Sequence, residues 1–234
     1  MKLIYVKPFV LFLLLMAAGS IFGQKAEKFG EVTKNDLQIS TCPIDSNAHA
    51  YYIFDKGETY YTIIGDGLKV SYKRHLRIKI IDKNALSAAD FAIRLYTNSN
   101  EVLSSLKAVS YNLEGDAIIE TKLAKRDIIT EESNDYTVTK KFAVPNVKEG
   151  SILEVEYIVL SENFYTLKPW YFQHQIPTLK STYELQIPTY FKYNLNSIGF
   201  QKIFTTSNTV NLSNGEYLEY KFFAENLPAY PDEA

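Results

Sequence analysis

The stretch KFAVPNVKEGSILEVEYIV, residues 141–159, decides the fold class, because its pattern predicts two β-strands joined by a turn. Pro145 lacks a backbone N–H and ends the first strand, and Gly150 supplies a permissive backbone for the turn. In the second strand, apolar residues at positions 153, 155, 157 and 159 alternate with Glu154 and Glu156. Alternation at a period of two places the two sets on opposite faces of a sheet, so this strand is predicted to be half-buried.

Similar patterns recur along the chain, with turn residues between them. The clearest alternation lies in residues 68–80, where Arg74 falls on the apolar side and so predicts a bulge or a sheet edge. A turn at residues 55–58 is predicted to separate two short strands. The other predicted strands cover residues 51–54, 60–64, 91–96, 102–113, 117–121, 136–144, 151–160, 170–175, 181–187, 193–203 and 217–223. Such a series predicts an all-β fold, an antiparallel two-layer β-sandwich or open barrel with little helix.

The first residues have the layout of a secretory signal peptide. Lys2 and Lys7 give a cationic start, residues 9–18 are apolar, and small residues follow. Cleavage is predicted after Gly23, with cleavage after Ser20 as the alternative, and an uncleaved membrane anchor remains a further alternative. We therefore expect residues 1–23 to be a signal peptide and the mature protein to be exported, periplasmic or extracellular, without a stable membrane anchor.

Composition limits the function classes for the rest of the chain. Residues 24–36 are charged and weakly patterned and predict a loose lead-in, whereas residues 37–234 predict one β domain. A net charge of −2 gives no electrostatic reason to expect nucleic acid as a partner. The only cysteine, Cys42, excludes an internal disulfide. The three histidines and Cys42 lack metal-ligand spacing, so neither a metal nor a cofactor is expected.

Glu154 and Glu156 are the strongest candidates for acid–base chemistry. Their Cα atoms are expected about 6.5–7 Å apart on one strand face, and paired carboxylates near that spacing can hydrolyse glycosides. Adjacent acids are equally typical of a solvated strand face, which is the interpretation we favour. The cationic residues of the 68–80 strand are likewise expected to form a solvated face, with docking of an acidic partner as the alternative. These residues are Lys69, Lys73, His75, Arg77 and Lys79.

Two further features could mark a site. Cys42 lies in a Ser-Thr-Cys-Pro loop without a helix start to lower its pKa, so a stray surface or half-buried thiol is expected rather than a nucleophile. Tyr165, Trp170 and Tyr171 cluster around a proline in a loop-to-strand corner. Such aromatic residues can stack on a sugar or clamp a peptide, although the single Trp is also suited to the core. These three are the predicted binding residues, and no catalytic residue is predicted.

Several stretches together are similar to a known family. They are DSNAHAYYIFDKGE (45–58), RHLRIKI (74–80), KAVSYNLEGDAI (107–118), KKFAVPNVKEGSILEVEYIV (140–159), WYFQHQIPTLKSTYELQIPTYFKY (170–193) and AENLPAY (224–230). In this order they resemble the β domain of unknown function that precedes transglutaminase-like domains in secreted bacterial proteins. The resemblance runs from about Leu37 to the end of the sequence.

The resemblance implies an exported two-layer β domain beside a papain-like domain that carries a Cys–His–Asp arrangement. No Cys or His of this sequence matches that triad, so no catalytic residue is carried over, and the chain is expected to be truncated before such a domain. The favoured function is a non-catalytic accessory module that positions a transglutaminase-like neighbour, in cis or as a separate protein, or binds its peptide or polysaccharide substrate. The alternatives are a small glycan or peptide hydrolase that uses Glu154 and Glu156, and a structural remnant.

Overall fold

A computed structural model describes residues 27–65, 67–212 and 214–230 of the chain. The expected signal peptide, residues 1–23, lies outside the described residues, and export therefore stays a prediction. Within the described ranges, no helix is both long enough and apolar enough to cross a membrane.

The described chain is built mainly of β-strands, which confirms the all-β prediction. The strands are β1 (Ala50–Ile64), β2 (Gly67–Ile80), β3 (Asp90–Tyr96), β4 (Val102–Glu114), β5 (Ala117–Lys122), β6 (Ile129–Asn134), β7 (Thr137–Ala143), β8 (Ile152–Ser161), β9 (Thr178–Pro188), β10 (Phe204–Leu212) and β11 (Gly215–Leu227). The helical elements are α1 (Lys34–Gln38) and the 3₁₀ segments Lys83–Ala89, Thr97–Ser99 and Lys125–Asp127.

The strands form two sheets. The larger has eight strands in the order β10-β11-β9-β1-β2-β8-β4-β5, and the smaller has three in the order β3-β7-β6. Neighbouring strands run antiparallel except β1 and β9, which are parallel. Neither sheet closes on itself in the described residues, so the structure is a two-layer sandwich rather than a barrel.

The apolar face of the eight-stranded sheet packs against the three-stranded sheet. The predicted turn before β8 is present, with Gly150 at a left-handed φ of 81°, and β8 then alternates as the sequence indicates. Leu153 and Val155 are fully buried with Leu76 of β2 in one cluster that also includes Ile93 of β3. Burying such side chains contributes about 1.5–3 kcal/mol each, so this interface supplies the main core without a disulfide.

The turn predicted at residues 55–58 is wrong, because β1 runs without interruption through it. A Cβ added to Gly57 would lie 2.4 Å from Cζ3 of Trp170. Gly57 therefore serves the close approach of the indole to the sheet rather than a change of chain direction. The Asp-Lys-Gly-Glu pattern is typical of turns, but here tertiary packing accounts for the glycine.

Other strand predictions differ from the structure in the segments on either side of β9. Residues 170–175 and 193–203 form no strands but run irregularly over the sheet. Two strands, β6 and β10, were not predicted from the sequence. The side chains of β10 are mostly exposed, and a polar outer strand lacks the alternation on which the prediction depends.

Residues 27–38, mostly within the expected lead-in, pack against the other face of the larger sheet. Thr33 caps helix α1 by accepting from the Asp36 backbone N–H, while the Asp36 carboxylate accepts from the Thr33 N–H. Leu37 joins a second apolar cluster with Tyr111 and Ile152. This cover makes the second face of the sheet partly buried, which changes the environment of the charged side chains on it.

Candidate binding site

A cavity of about 660 Å³ lies between the apolar face of the larger sheet and the irregular segment that precedes β9. We call it the Trp170 cavity. Strands β1, β2, β3, β8 and β9 form its wall together with that segment. Its lining residues include Tyr72, Arg74, Arg94, Trp170, Tyr171 and His174.

Trp170 both packs against the sheet and lines the cavity. Its ring stacks on Tyr183 with centroids 5.4 Å apart and an interplanar angle of 5°. The indole N–H donates to Oγ of Ser181 at 3.3 Å. The Arg74 guanidinium carbon lies 5.6 Å from the ring centroid, within the range of a cation–π contact. These contacts fix the indole, so it presents a rigid apolar surface to the cavity.

A buried ionic cluster stands beside Trp170. Nε and one terminal nitrogen of Arg74 each donate to an Asp55 oxygen at 2.8 Å, and Nε2 of His174 lies 2.7 Å from the second oxygen. Burial alone would raise the pKa of the Asp55 carboxyl, but the Arg74 charge and the bonds from both partners outweigh it and lower that pKa. Asp55 and Arg74 thus form a charged pair at ordinary pH.

The position of Arg74 corrects a prediction. β2 is a central strand, and its register with β1 is regular at Arg74, so neither a bulge nor a sheet edge is present there. The observed bulge lies between Tyr52 and Phe54 of β1. An arginine on an apolar face suggests a break in the sheet, but here the carboxylate of Asp55, 19 residues earlier in the sequence, pairs with it inside the sheet.

The three predicted binding residues lie close together. All of them line a second cavity of about 770 Å³, which shares residues 168–171 and Gln173 with the Trp170 cavity. Tyr165 is 84% exposed and Tyr171 is 67% exposed, whereas Trp170 is partly buried. Tyr171 also borders the Trp170 cavity. The two tyrosines therefore offer ring surface that nothing in the described residues covers fully.

Sequence reasoning missed Asp55 and His174. Asp55 was placed in a turn, and His174 has no partner at metal-ligand or catalytic spacing in the sequence. The parallel pairing of β1 with β9 places Asp55 opposite Ser181, and it thereby brings Asp55 close to the segment before β9 that contains His174. A single sequence carries no signal for that long-range pairing.

The predicted carboxylate pair has a different environment from the one expected. Glu154 is 0% exposed, so its prediction as a solvated residue is wrong. It accepts from Gly30 N at 2.9 Å, Arg77 at 2.7 Å and Tyr111 OH at 3.2 Å, and it contacts Nε2 of His75 at 2.8 Å. Burial alone would raise its pKa, but the His75 bond and the Arg77 charge lower it.

Glu156 is not part of that network. It pairs with Lys73 at 3.3 Å and with Lys107 at 3.0 Å. Burial alone would raise its pKa, but these two lysines lower it. Neither carboxyl group therefore has the raised pKa that a general acid needs near neutral pH.

The predicted cationic strip is also mostly buried, which corrects its description as solvated. His75 and Arg77 contact Glu154 beneath the segment that contains Gly30. Lys79 is 0% exposed, and its Nζ donates to the carbonyl oxygens of Leu37 and Gly150, each at 2.6 Å. Burial lowers the pKa of Lys79 to about 8. The alternation of charged residues was observed correctly, but the cover from residues 27–38 was not foreseen.

Cys42 lies on that same covered face, beside Tyr51, and is buried rather than exposed. His174 and Asp55 are on the opposite face with the Trp170 cavity, so Cys42 is not placed to act with them. In the described ranges, no three His, Cys, Asp or Glu side chains are grouped closely enough to hold a metal ion.

Comparison with known families gives one match over most of the chain. Residues 67–231 match a domain of unknown function for which a structure has been solved, DUF3857. The chain belongs to the DUF3857 family. No curated protein matches the sequence.

A solved structure shares the fold of this DUF3857 domain. It is the crystal structure of a protein from Parabacteroides distasonis that carries the name "putative protease", and it superposes with a TM-score of 0.52 at 14% identity. The superposition covers 80% of this chain and 37% of that chain. The likeness shows the fold alone, and this chain spans well under half the length of the protein it matches.

Proposed function

We propose that this DUF3857 domain is an exported, non-catalytic binding module that accompanies a protein-processing domain of the transglutaminase-like class. In this proposal the module holds a peptide or polysaccharide substrate of that neighbour in the Trp170 cavity. The observation that carries the proposal is the cavity itself, which combines the fixed indole of Trp170 and the exposed ring of Tyr171 with a wall in which Arg74 is paired with Asp55 and Lys168 with Glu101. Aromatic surface with satisfied polar groups is typical of binding rather than of chemistry.

The neighbouring domain is supported by two observations. The sequence resembles the β domain that precedes transglutaminase-like domains. In the Parabacteroides distasonis protein, the matched fold occupies 37% of a longer chain that carries the name "putative protease". A module that binds substrate beside a catalytic domain raises the local concentration of substrate there.

The hydrolase alternative has little support from the geometry. The oxygens of Glu154 already receive bonds from Gly30, Arg77 and Tyr111, and its carboxylate is fully buried, so it cannot reach a substrate without rearrangement. We therefore interpret Glu154 as a positioning residue for residues 27–38 and Glu156 as a surface ion-pair partner.

Binding tests this proposal directly. We would screen the full exported chain against peptide and oligosaccharide arrays, and then measure affinities for Tyr171→Ala and Tyr136→Ala. The two tyrosines are matched, because they are 67% and 66% exposed and only Tyr171 lines the cavities. Loss of one stacked ring costs about 1.4 kcal/mol, or roughly tenfold in affinity. Equal affinities for both variants, or turnover of the bound ligand by the wild type, would contradict the proposal.

A further inference from the structure

The open edge of β3 offers unpaired backbone groups beside the Trp170 cavity. β3 pairs with β7, and two flanking bonds show which residues face that partner. Val144 N donates to Ala89 O at 2.9 Å, and Thr97 N donates to Tyr136 O at 3.0 Å. In an antiparallel ladder the bonded positions alternate, so the odd-numbered residues of β3 face β7 and the even-numbered residues face outward.

Tyr96, one of the outward residues, is already occupied. The carboxylate of Glu101 accepts from Tyr96 N at 2.9 Å, and Glu101 N donates to Tyr96 O at 3.1 Å. Within the described residues, no group bonds the outward N–H or C=O of Ala92 or Arg94. At this edge the backbone groups of Tyr96 are therefore already bonded, whereas the outward N–H and C=O groups of Ala92 and Arg94 are available to a partner.

The open edge borders the cavity. Ile93 and Arg94 contribute to its wall. Glu101 links Tyr96 to the opposite wall, because its carboxylate also pairs with Nζ of Lys168 at 2.7 Å. Nζ of Lys168 lies 4.9 Å from the centroid of the Tyr96 ring, and Lys168 lines the cavity two residues before Trp170. A chain placed along the edge would therefore lie at the mouth of the Trp170 cavity.

We propose that an extended peptide adds to this edge as a fourth strand of the smaller sheet. Its backbone pairs with Ala92 and Arg94, and one of its side chains enters the Trp170 cavity. The inference rests on the proposed binding function and names the ligand as a peptide. Strand addition uses main-chain bonds for affinity and pockets for alternate side chains, and two outward residues about 6.5–7 Å apart match the repeat of a peptide strand.

A polysaccharide does not offer this pattern. Ala92 and Arg94 each present one N–H donor and one C=O acceptor. The C=O and N–H groups of an extended peptide recur at the spacing that pairs with them. Sugar hydroxyls have no fixed repeat of that kind along a strand. The geometry of the edge therefore favours a peptide over a polysaccharide, while the aromatic surface would accept either.

The test uses a phage-displayed library of random dodecapeptides selected against the full exported chain. The best peptide is synthesised, and its dissociation constant is measured by calorimetry for Arg94→Pro and Arg94→Ala. Proline removes the outward N–H without touching the ladder to β7, whereas alanine keeps that N–H and removes the side chain beyond Cβ. Thr130→Pro is the fold control, since Thr130 occupies an outward position on the far edge of the same sheet, and this change also removes the bond that the Thr130 hydroxyl accepts from Nζ of Lys140.

Strand addition predicts at least a tenfold loss of affinity for Arg94→Pro, less than a threefold loss for Arg94→Ala, and no loss for Thr130→Pro. Peptides N-methylated at alternate residues provide a second readout that does not depend on folding of a variant. Methylation of one alternating set should abolish binding and methylation of the other should leave it unchanged. Equal losses for the two Arg94 variants, or equal effects of both methylated sets, would overturn the inference.

The outcomes separate the inference from the proposed function. If only oligosaccharides bind, and Tyr171→Ala weakens them, strand addition is refuted while the binding function stands. If neither library yields a ligand, both are refuted. Self-association of the chain that Arg94→Pro abolishes, without any peptide binding, would also overturn the peptide assignment.

Discussion

Replacing Gly57 with alanine should displace the only tryptophan of the protein. Gly57 lies inside β1 beneath Trp170, and a Cβ at this position would lie 2.4, 2.6 and 2.9 Å from three carbons of the indole ring. Carbon atoms pack favourably near 3.5–4.0 Å, so the ring must move by about 1 Å. The stack on Tyr183 and the bond from the indole N–H to Ser181 oppose that movement.

The expected cost follows from two opposing terms. Forcing an extra methyl group into a packed site costs about 1–3 kcal/mol. Alanine is intrinsically better than glycine inside a strand by about 0.5–1 kcal/mol. The net destabilisation of Gly57→Ala should therefore be about 1 kcal/mol and at most about 2.5 kcal/mol, whereas an unobstructed Gly→Ala change in a strand would be neutral or stabilising.

Urea unfolding followed by tryptophan emission measures this effect, because Trp170 is the only Trp in the chain. The native emission of Gly57→Ala should shift to longer wavelength and its midpoint should fall. Gly67→Ala is the control, since a Cβ at Gly67 would meet only a carbonyl oxygen at 3.9 Å. If Gly57→Ala matches Gly67→Ala in stability and emission, the close packing of Trp170 on β1 is refuted.

The remaining predictions concern groups on the covered face of the sheet. Glu154→Gln should cost about 3–5 kcal/mol because it leaves the buried guanidinium of Arg77 without its counter-charge, whereas Glu156→Gln should cost less than about 1 kcal/mol; urea midpoints at pH 7 compare them, and equal midpoints would contradict the burial of Glu154. Since its folded pKa lies below the usual 4.5, the contribution of Glu154 is present above that pH and should be lost as acid protonates it. For Lys79, with a folded pKa lowered to about 8, the unfolded chain binds more protons between about pH 8 and 10.5, so its contribution to stability should rise with pH there and vanish in Lys79→Met. Cys42→Ser should cost about 1–3 kcal/mol, because the new hydroxyl is buried, and an unchanged melting temperature would show that Cys42 is accessible.

The fold class could be predicted because local alternation controls it. In β8 the positions of Leu153 and Val155 follow directly from the pattern, and Gly150 ends the preceding turn as expected. The environment of Glu154 on the other face could not be predicted. It depends on Gly30 and its neighbours returning over the sheet more than 120 residues away in sequence, and alternation does not distinguish a solvated face from one covered by another segment.

The candidate site was predicted in part. Tyr165, Trp170 and Tyr171 are neighbours in the sequence, so their clustering is a local property. The contacts of Trp170 with Gly57 and of His174 with Asp55 depend on long-range packing. The sequence carries no unambiguous signal for either contact. A glycine between strand-forming residues indicated a turn, although it equally indicates close contact with a large ring.

The central claim, that a ligand occupies the Trp170 cavity, is tested most directly by acrylamide quenching of the single tryptophan. The full exported chain is quenched alone and then with a saturating amount of the best peptide or oligosaccharide from the screen. A ligand in the cavity covers the exposed side of the indole, so the quenching constant should fall by at least half in the wild type and in Tyr136→Ala. An unchanged quenching constant at saturation would place the ligand elsewhere and contradict the account.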